Sequence, residues 1–248
     1  MIVIDLIILA VLALASAAYP RARRFLLQKT GLGRGEVVFS EDEPSKSLCE
    51  VSPDKIPAFA GEDYVELNGN VPCFTQYDFD HITGEVFSDP DRLGRCGPAT
   101  AMLHRSMMPD GERGGISEVH PTGWHTARYP GLIEDDYLYN RSHLIAYAMT
   151  GQNANPLNLI TGTHHMNHVG MLSFELKVLQ YLDDSDGRVL YRVTPYFKDD
   201  ELVARGVEME ACSVEDYGAG VSFHVFVYNY EPGITIDYRT GESRLMSD

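Results

Sequence analysis

The chain has little positive charge: 20 Lys and Arg stand against 36 Asp and Glu in 248 residues, a net charge of −16. Phosphate binding draws on clustered Lys and Arg, so this balance excludes a protein that grips nucleic acid over its whole surface and leaves room for a locally basic cleft. Cysteine is scarce as well. Cys49, Cys73, Cys96 and Cys212 are too widely spaced for a Cys-x-x-Cys zinc ribbon or a thioredoxin-like motif. They allow up to two disulfides in an exported chain, or buried thiols, and their spacing does not choose between these. No low-complexity tract and no repeat with a period of about 20 to 50 residues occurs, which sets aside fibres and solenoids. What is present is apolar mass: 44% hydrophobic residues, with 14 Tyr and 10 Phe, suffice for a substantial core.

Residues 1–18, "MIVIDLIILAVLALASAA", are apolar apart from Asp5 and Ser16, long enough for a signal-peptide core or a short membrane anchor. Ala15-Ser16-Ala17 offers an A-x-A cleavage pattern and favours a signal peptide. The missing basic residue before the run and the cluster Arg21, Arg23, Arg24 behind it favour an anchor, whose flanks would hold the remainder in the cytoplasm. Residues 19–63, with "SEDEPSKS", read as a polar linker or arm, and the compact domain is expected over 64–248.

Within that domain "YVELNGNVPCF" predicts a strand, a turn at Asn68-Gly69 and a second strand. Residues 91–140 are dense in Gly, Pro and Arg and predict short strands joined by long loops. "LIAYA" predicts a few extended or turn residues, and "GQNANPLN" a loop, since Pro156 blocks regular pairing. From Thr163 to Leu182 the pattern turns helical, with Met171, Phe174, Val178 and Leu182 forming an apolar stripe. "RVLYRVTPYF", "ELVARGVEME", "VSFHVFVYNY" and "ITIDYRTG" follow as strands, so the class is α+β: a central antiparallel sheet with one central helix.

The run 139–171, "YNRSHLIAYAMTGQNANPLNLITGTHHMNHVGM", holds four of the nine histidines. His143 stands two residues after Arg141, and an imidazole with a near-neutral pKa is the usual group for taking a proton from water. A guanidinium fork matches phosphate oxygens and stays charged. On the helix, Asn167, Met171 and Glu175 recur at i, i+4 and i+8, which places two oxygen donors along one side. Mg²⁺ is a hard ion that takes one or two protein oxygens and keeps several waters, so Asn167 as direct ligand with Glu175 holding a bound water satisfies it. A different reading makes His164, His165 and His168 zinc ligands, since i and i+4 share a helical face, but the glutamate of H-E-x-x-H and an evident third partner are missing.

The whole run, extended to "LSFE", resembles the core of the DNA/RNA non-specific endonucleases, the ββα-metal nucleases with a D-R-G-H motif, and most of all their Gram-positive branch. The likeness continues through "LGRCGPATAMLHRSMMP", "HPTGW", "YRVTPYF", "LVARGVEMEACSVED" and "FHVFVYNYEPGITIDYRTG", nearly all of residues 64–241. The resemblance implies a ββα-metal nuclease fold whose helix carries the metal ligand. It implies His143 as general base, Arg141 as the motif arginine, Asn167 as Mg²⁺ ligand (Mn²⁺ substituting), Glu175 as holder of metal-bound water, Asn158 as an orienting residue and Arg192 as a phosphate contact. Asn140 stands where the family has Asp and Ser142 where it has Gly; Asn keeps a hydrogen bond beside the histidine and loses the charge. The implied activity is sequence-independent hydrolysis of phosphodiester bonds in DNA, with RNA as a further substrate, by a secreted or cell-surface enzyme, membrane-attached if residues 1–18 persist. A weak or inactive relative that only binds nucleic acid or a surface partner is the alternative.

Overall fold

The computed structural model describes residues 56–246, so the apolar run 1–18, most of the arm and Cys49 lie outside the described residues. In chain order the elements are β1 (Tyr64–Glu66), α1 (Gln76–His81), β2 (Glu85–Phe87), β3 (Ala99–Leu103), β4 (Tyr139–His143), α2 (Tyr147–Thr150), β5 (Leu159–Thr163), α3 (Leu172–Asp184), β6 (Val189–Tyr196), β7 (Gly206–Ser213), β8 (Ser222–Tyr228), β9 (Ile234–Ile236) and β10 (Ser243–Leu245). Six strands form one antiparallel sheet in the order β1-β8-β7-β6-β3-β2. Alternation assigns its faces. Val189, Tyr191 and Val193 of β6 join Phe223, Val225 and Val227 of β8 on the side that packs Phe174, Val178 and Leu182 of α3. The opposite face carries Leu190, Met102 and Cys212 under Phe74, and Phe226 under Leu67. Sandwiching the sheet between two apolar layers makes the α+β expectation explicit: sheet, one long helix, and extended loops.

A separate two-stranded hairpin, β4 with β5, pairs Tyr139 with Thr163 and His143 with Leu159, and runs directly into the helix. Gly162 is required there, because a Cβ would lie 2.2 Å from the Ser142 hydroxyl and 2.5 Å from the Met166 methyl. The helix does not start as a regular α-helix. Met166–Met171 forms a π-helical turn before α3, the kind of widened turn that recurs at functional sites. Gly170 within it lets the turn approach β8, where a Cβ would meet Val227 at 2.4 Å.

Several local expectations change. The second strand of "YVELNGNVPCF" does not form: Asn68, Gly69 and Asn70 all take left-handed φ, and three such residues in a row do not fit a two-residue hairpin turn. β1 pairs with β8 instead, and Thr75 opens α1 through a capping box with Asp78. "LIAYA" leads into the short helix α2, and "LITGT", between the expected loop and the expected helix, is β5, so Thr163 ends a strand and does not open the helix. β7 begins only at Gly206, and β9 pairs with β10 outside the main sheet. Contacts to the sheet begin upstream of Tyr64, inside the segment read as an arm: the Tyr228 hydroxyl donates to the Pro57 carbonyl, and the Phe59 ring lies against Tyr228 and Tyr230. Among the described residues no helix is long and apolar enough to cross a membrane.

Candidate active site

His143 closes β4 and is buried. Its Nε2 lies 2.8 Å from the Asn153 carbonyl oxygen. A carbonyl only accepts, so Nε2 carries the hydrogen and, in the neutral ring, Nδ1 keeps the lone pair. The Arg113 guanidinium approaches that Nδ1 at 3.4 Å. Burial, reinforced by the Arg113 charge and opposed by the backbone contacts of Asn153 and Gln152, holds the His143 pKa below its ordinary value. The imidazole is therefore neutral at pH 7, with its basic nitrogen facing a cation.

Asn153 is the hub of this corner. Its carbonyl takes the imidazole, its side-chain oxygen accepts from Arg113 Nε at 3.1 Å, and its amide donates to the Gly114 carbonyl at 2.9 Å. The Arg113 guanidinium also lies over the Tyr147 ring. Gln152 beside it donates to Glu85 at 3.2 Å, tying the loop to β2. Asn158 is fully buried and clamps the chain just past His143: its oxygen accepts from Ile145 N–H at 2.8 Å and its amide donates to the Ile145 carbonyl at 2.9 Å. Asn158→Ala leaves both backbone groups buried without partners, an expected loss on the order of 2–4 kcal/mol, checked by urea unfolding of both proteins.

The two arginines singled out in the sequence have their guanidinium groups engaged by other parts of the chain. Arg141 spends its guanidinium on the loop before β4, donating to the Val119 and Ser117 carbonyls, the latter at 2.7 Å, and stacking 4.0 Å over Trp124. It anchors that loop. Arg192 lies on the opposite sheet face from α3, paired with Glu210 at 2.7 Å and stacked over Phe74. A phosphate on the helix side is out of its reach, because β6 alternation turns Val193 and Tyr191, and not Arg192, toward α3. The cation beside the base is Arg113, which sequence reasoning missed. Its signal was weak: one arginine in "GERGG", about thirty residues upstream of His143.

Asn167 sits in the π-helical turn, half-buried, and its side chain makes no hydrogen bond among the described residues. Glu175 follows in the first turn of α3, likewise without a hydrogen bond or ion pair among them. Burial pushes its carboxyl pKa up to about 7. The fully buried Tyr191 hydroxyl has no partner either, and burial together with the Glu175 charge drives its pKa upward. Buried polar groups normally find partners, and an ion with its waters is one way to supply them. Two hard oxygen donors left uncommitted fit a Mg²⁺-type cation. Asn140 and Ser142 turn toward Gly162 and the helix start; the Asn140 amide and Ser142 hydroxyl are also buried without partners. Since His143 lies on the other face of β4, Asn140 shares no strand face with it.

The three-histidine zinc set does not assemble. His165 is bonded to Asp63 at 2.7 Å and contacts the Tyr230 hydroxyl, while His164 and His168 stack on each other.

A hairpin feeding a helix, with a buried neutral imidazole next to a guanidinium, is an arrangement suited to hydrolysing phosphate esters. The chain belongs to the DNA/RNA non-specific endonuclease family, whose model matches residues 75–215. Among solved structures it is similar to NucA from Streptococcus agalactiae with no metal bound, at 28% identity, covering 78% of this chain and 92% of that one with a TM-score of 0.66. The same nuclease with magnesium ion bound matches at 29% identity, 73% and 86% coverage, TM-score 0.64. The fold is shared with Sda1 nuclease with bound zinc ion, at 23% identity, 81% and 94% coverage, TM-score 0.57. The chain is thus an endonuclease acting on nucleic acid, with a central antiparallel sheet of the kind these nucleases share.

Proposed function

We propose that this endonuclease depends on Mg²⁺ and cleaves DNA, and RNA as a further substrate, with His143 as general base and Asn167 as direct metal ligand. The observation that carries the reading is the His143 tautomer: Nε2 is committed to the Asn153 carbonyl, so Nδ1 holds the lone pair that can accept a proton once the Arg113 guanidinium, 3.4 Å away, turns to the phosphate. A water between Nδ1 and the scissile phosphate loses its proton to Nδ1 as its oxygen bonds to phosphorus, and the ester P–O bond opposite breaks. Arg113, next to Nδ1, holds the non-bridging oxygens and meets the growing negative charge. Asn158 fixes the turn behind the base, and Asn167 and Glu175 hold the ion. When bound, Mg²⁺ neutralises charge on the phosphate and stabilises the leaving oxygen.

Neither sequence nor site contains a recognition helix, zinc finger or aromatic RNP stretch, so contacts run to phosphate and sugar and cleavage is independent of base sequence. We further propose export or surface attachment, supported by the apolar run 1–18. After chelation, nicking of supercoiled plasmid is expected to return with Mg²⁺ and with Mn²⁺; return with Zn²⁺ alone would overturn the assignment.

The pH dependence follows from the sign of the shift. A base whose pKa lies below about 6.5 stays neutral down to that lower value, so kcat/KM is expected to hold through pH 6.5 and fall only further into acid. Arg113→Ala removes a cation that depresses the His143 pKa, so its acid limb moves to higher pH while the plateau drops. A pH–rate profile of both proteins reads this, and an unmoved limb would argue against the pairing.

A further inference from the structure

We propose that His164, His168 and Asp135 form a second metal site, distinct from Asn167, which takes a borderline divalent cation of the Zn²⁺ class and clamps the loop 129–138 to the start of the helix. The third partner that the sequence did not reveal comes from that loop. One nitrogen from each imidazole and one Asp135 oxygen all lie within 4.8 Å of one another. His164 Nε2 is 3.8 Å from the Asp135 carboxylate, and the two imidazoles stack with centroids 4.4 Å apart. Zn–N bonds of about 2.0–2.1 Å place tetrahedral donors about 3.3 Å apart. Closing from the observed spacing takes only side-chain rotation, since Asp135 and His168 are exposed.

The backbone is already set for it. The His164 N–H donates to the Leu138 carbonyl at 2.7 Å, which fixes the helix start against the end of the loop. Tyr129 N–H to Asp136, and Asp136 N–H to Ile133, at 2.7 and 3.0 Å, hold the loop closed around Asp135. Two imidazoles and one carboxylate suit Zn²⁺, Co²⁺, Ni²⁺ or Cu²⁺, whereas Mg²⁺ prefers oxygen alone, so the site discriminates against the ion assigned to Asn167. A zinc-class ion here would leave one position for water, with three protein ligands.

A second cluster, Cys73, Glu210 and His224, has similar spacing, but its groups are committed. Glu210 accepts from Arg192 and from the Cys73 N–H, and His224 engages Glu208 and the Val71 carbonyl. It serves as the internal control.

The test is calorimetric titration of the full chain, without a histidine tag and stripped of metal, with ZnCl₂ in millimolar Mg²⁺. One equivalent should bind with micromolar affinity or tighter and raise the melting temperature by mass action. His168→Ala and Asp135→Asn, both at exposed positions, should weaken binding, the former by at least tenfold, and abolish the thermal shift. Asn167→Ala and Cys73→Ser should bind as the unaltered chain does. Absence of binding, binding untouched by His168→Ala, displacement by Mg²⁺, or loss in Asn167→Ala or Cys73→Ser would overturn the proposal. The readout is metal occupancy, so it stands or falls separately from nuclease activity.

Discussion

His143→Ala is expected to slow plasmid nicking by about 10³-fold, the middle of the range for a positioned general base. That factor corresponds to about 4 kcal/mol of lost transition-state stabilisation. The loss should fall on kcat, since the imidazole takes its proton only as the phosphorus–oxygen bond forms. The side chain contributes little else: its polar contacts, to the Asn153 and Gln152 backbone and to Arg113, belong to a corner that Asn153 itself still ties to Arg113 and Gly114. Melting curves of the two proteins should therefore be similar while the rates diverge. A variant within tenfold of the unaltered enzyme would remove His143 from the chemistry.

Asn167→Ala is the second large effect. Because its amide has no partner among the described residues, its removal should cost little stability, yet activity at fixed Mg²⁺ should fall on the order of 10²-fold or more as a metal ligand is lost. The diagnostic is a metal titration: the Mg²⁺ concentration for half-maximal nicking moves upward, and high Mg²⁺ recovers part of the rate. Asn167→Asp keeps an oxygen donor and should retain more activity than the alanine variant. An unchanged metal titration with a lowered plateau would place Asn167 elsewhere in the mechanism.

Physical chemistry explains which parts of this site were legible in the sequence. The stripe Met171, Phe174, Val178, Leu182 is buried in full, because helical period alone dictates which residues meet a sheet. Alternation in β6 likewise carries its own face assignment. The hairpin–helix unit was readable through family likeness, as was Asn158 as an expected orienting residue; its two hydrogen bonds to the Ile145 backbone were not. The group that fixes the tautomer of His143 was not readable, since it is a backbone carbonyl and any residue at position 153 carries one. Arg113 and Asp135 come from loops about thirty residues distant from their partners, where neither period nor spacing constrains contact. Arg141 and Arg192 are of a type that suits a phosphate, and their bonds to the Val119 and Ser117 carbonyls and to Glu210 are contacts that residue type alone does not reveal. The π-helical turn, which alters how Asn167 is presented relative to Glu175, leaves no trace in an i, i+4, i+8 count.

The central claim is that Nδ1 of His143 takes the proton, and chemical rescue tests it most directly. In His143→Gly the ring is removed and a cavity opens between the Asn153 carbonyl and Arg113. Added imidazole should restore nicking in a saturable manner, with the restored rate rising with pH as neutral imidazole accumulates and remaining dependent on Mg²⁺. Imidazole that leaves the variant as inactive as before, while the variant folds and binds DNA as the unaltered chain does, would contradict the account.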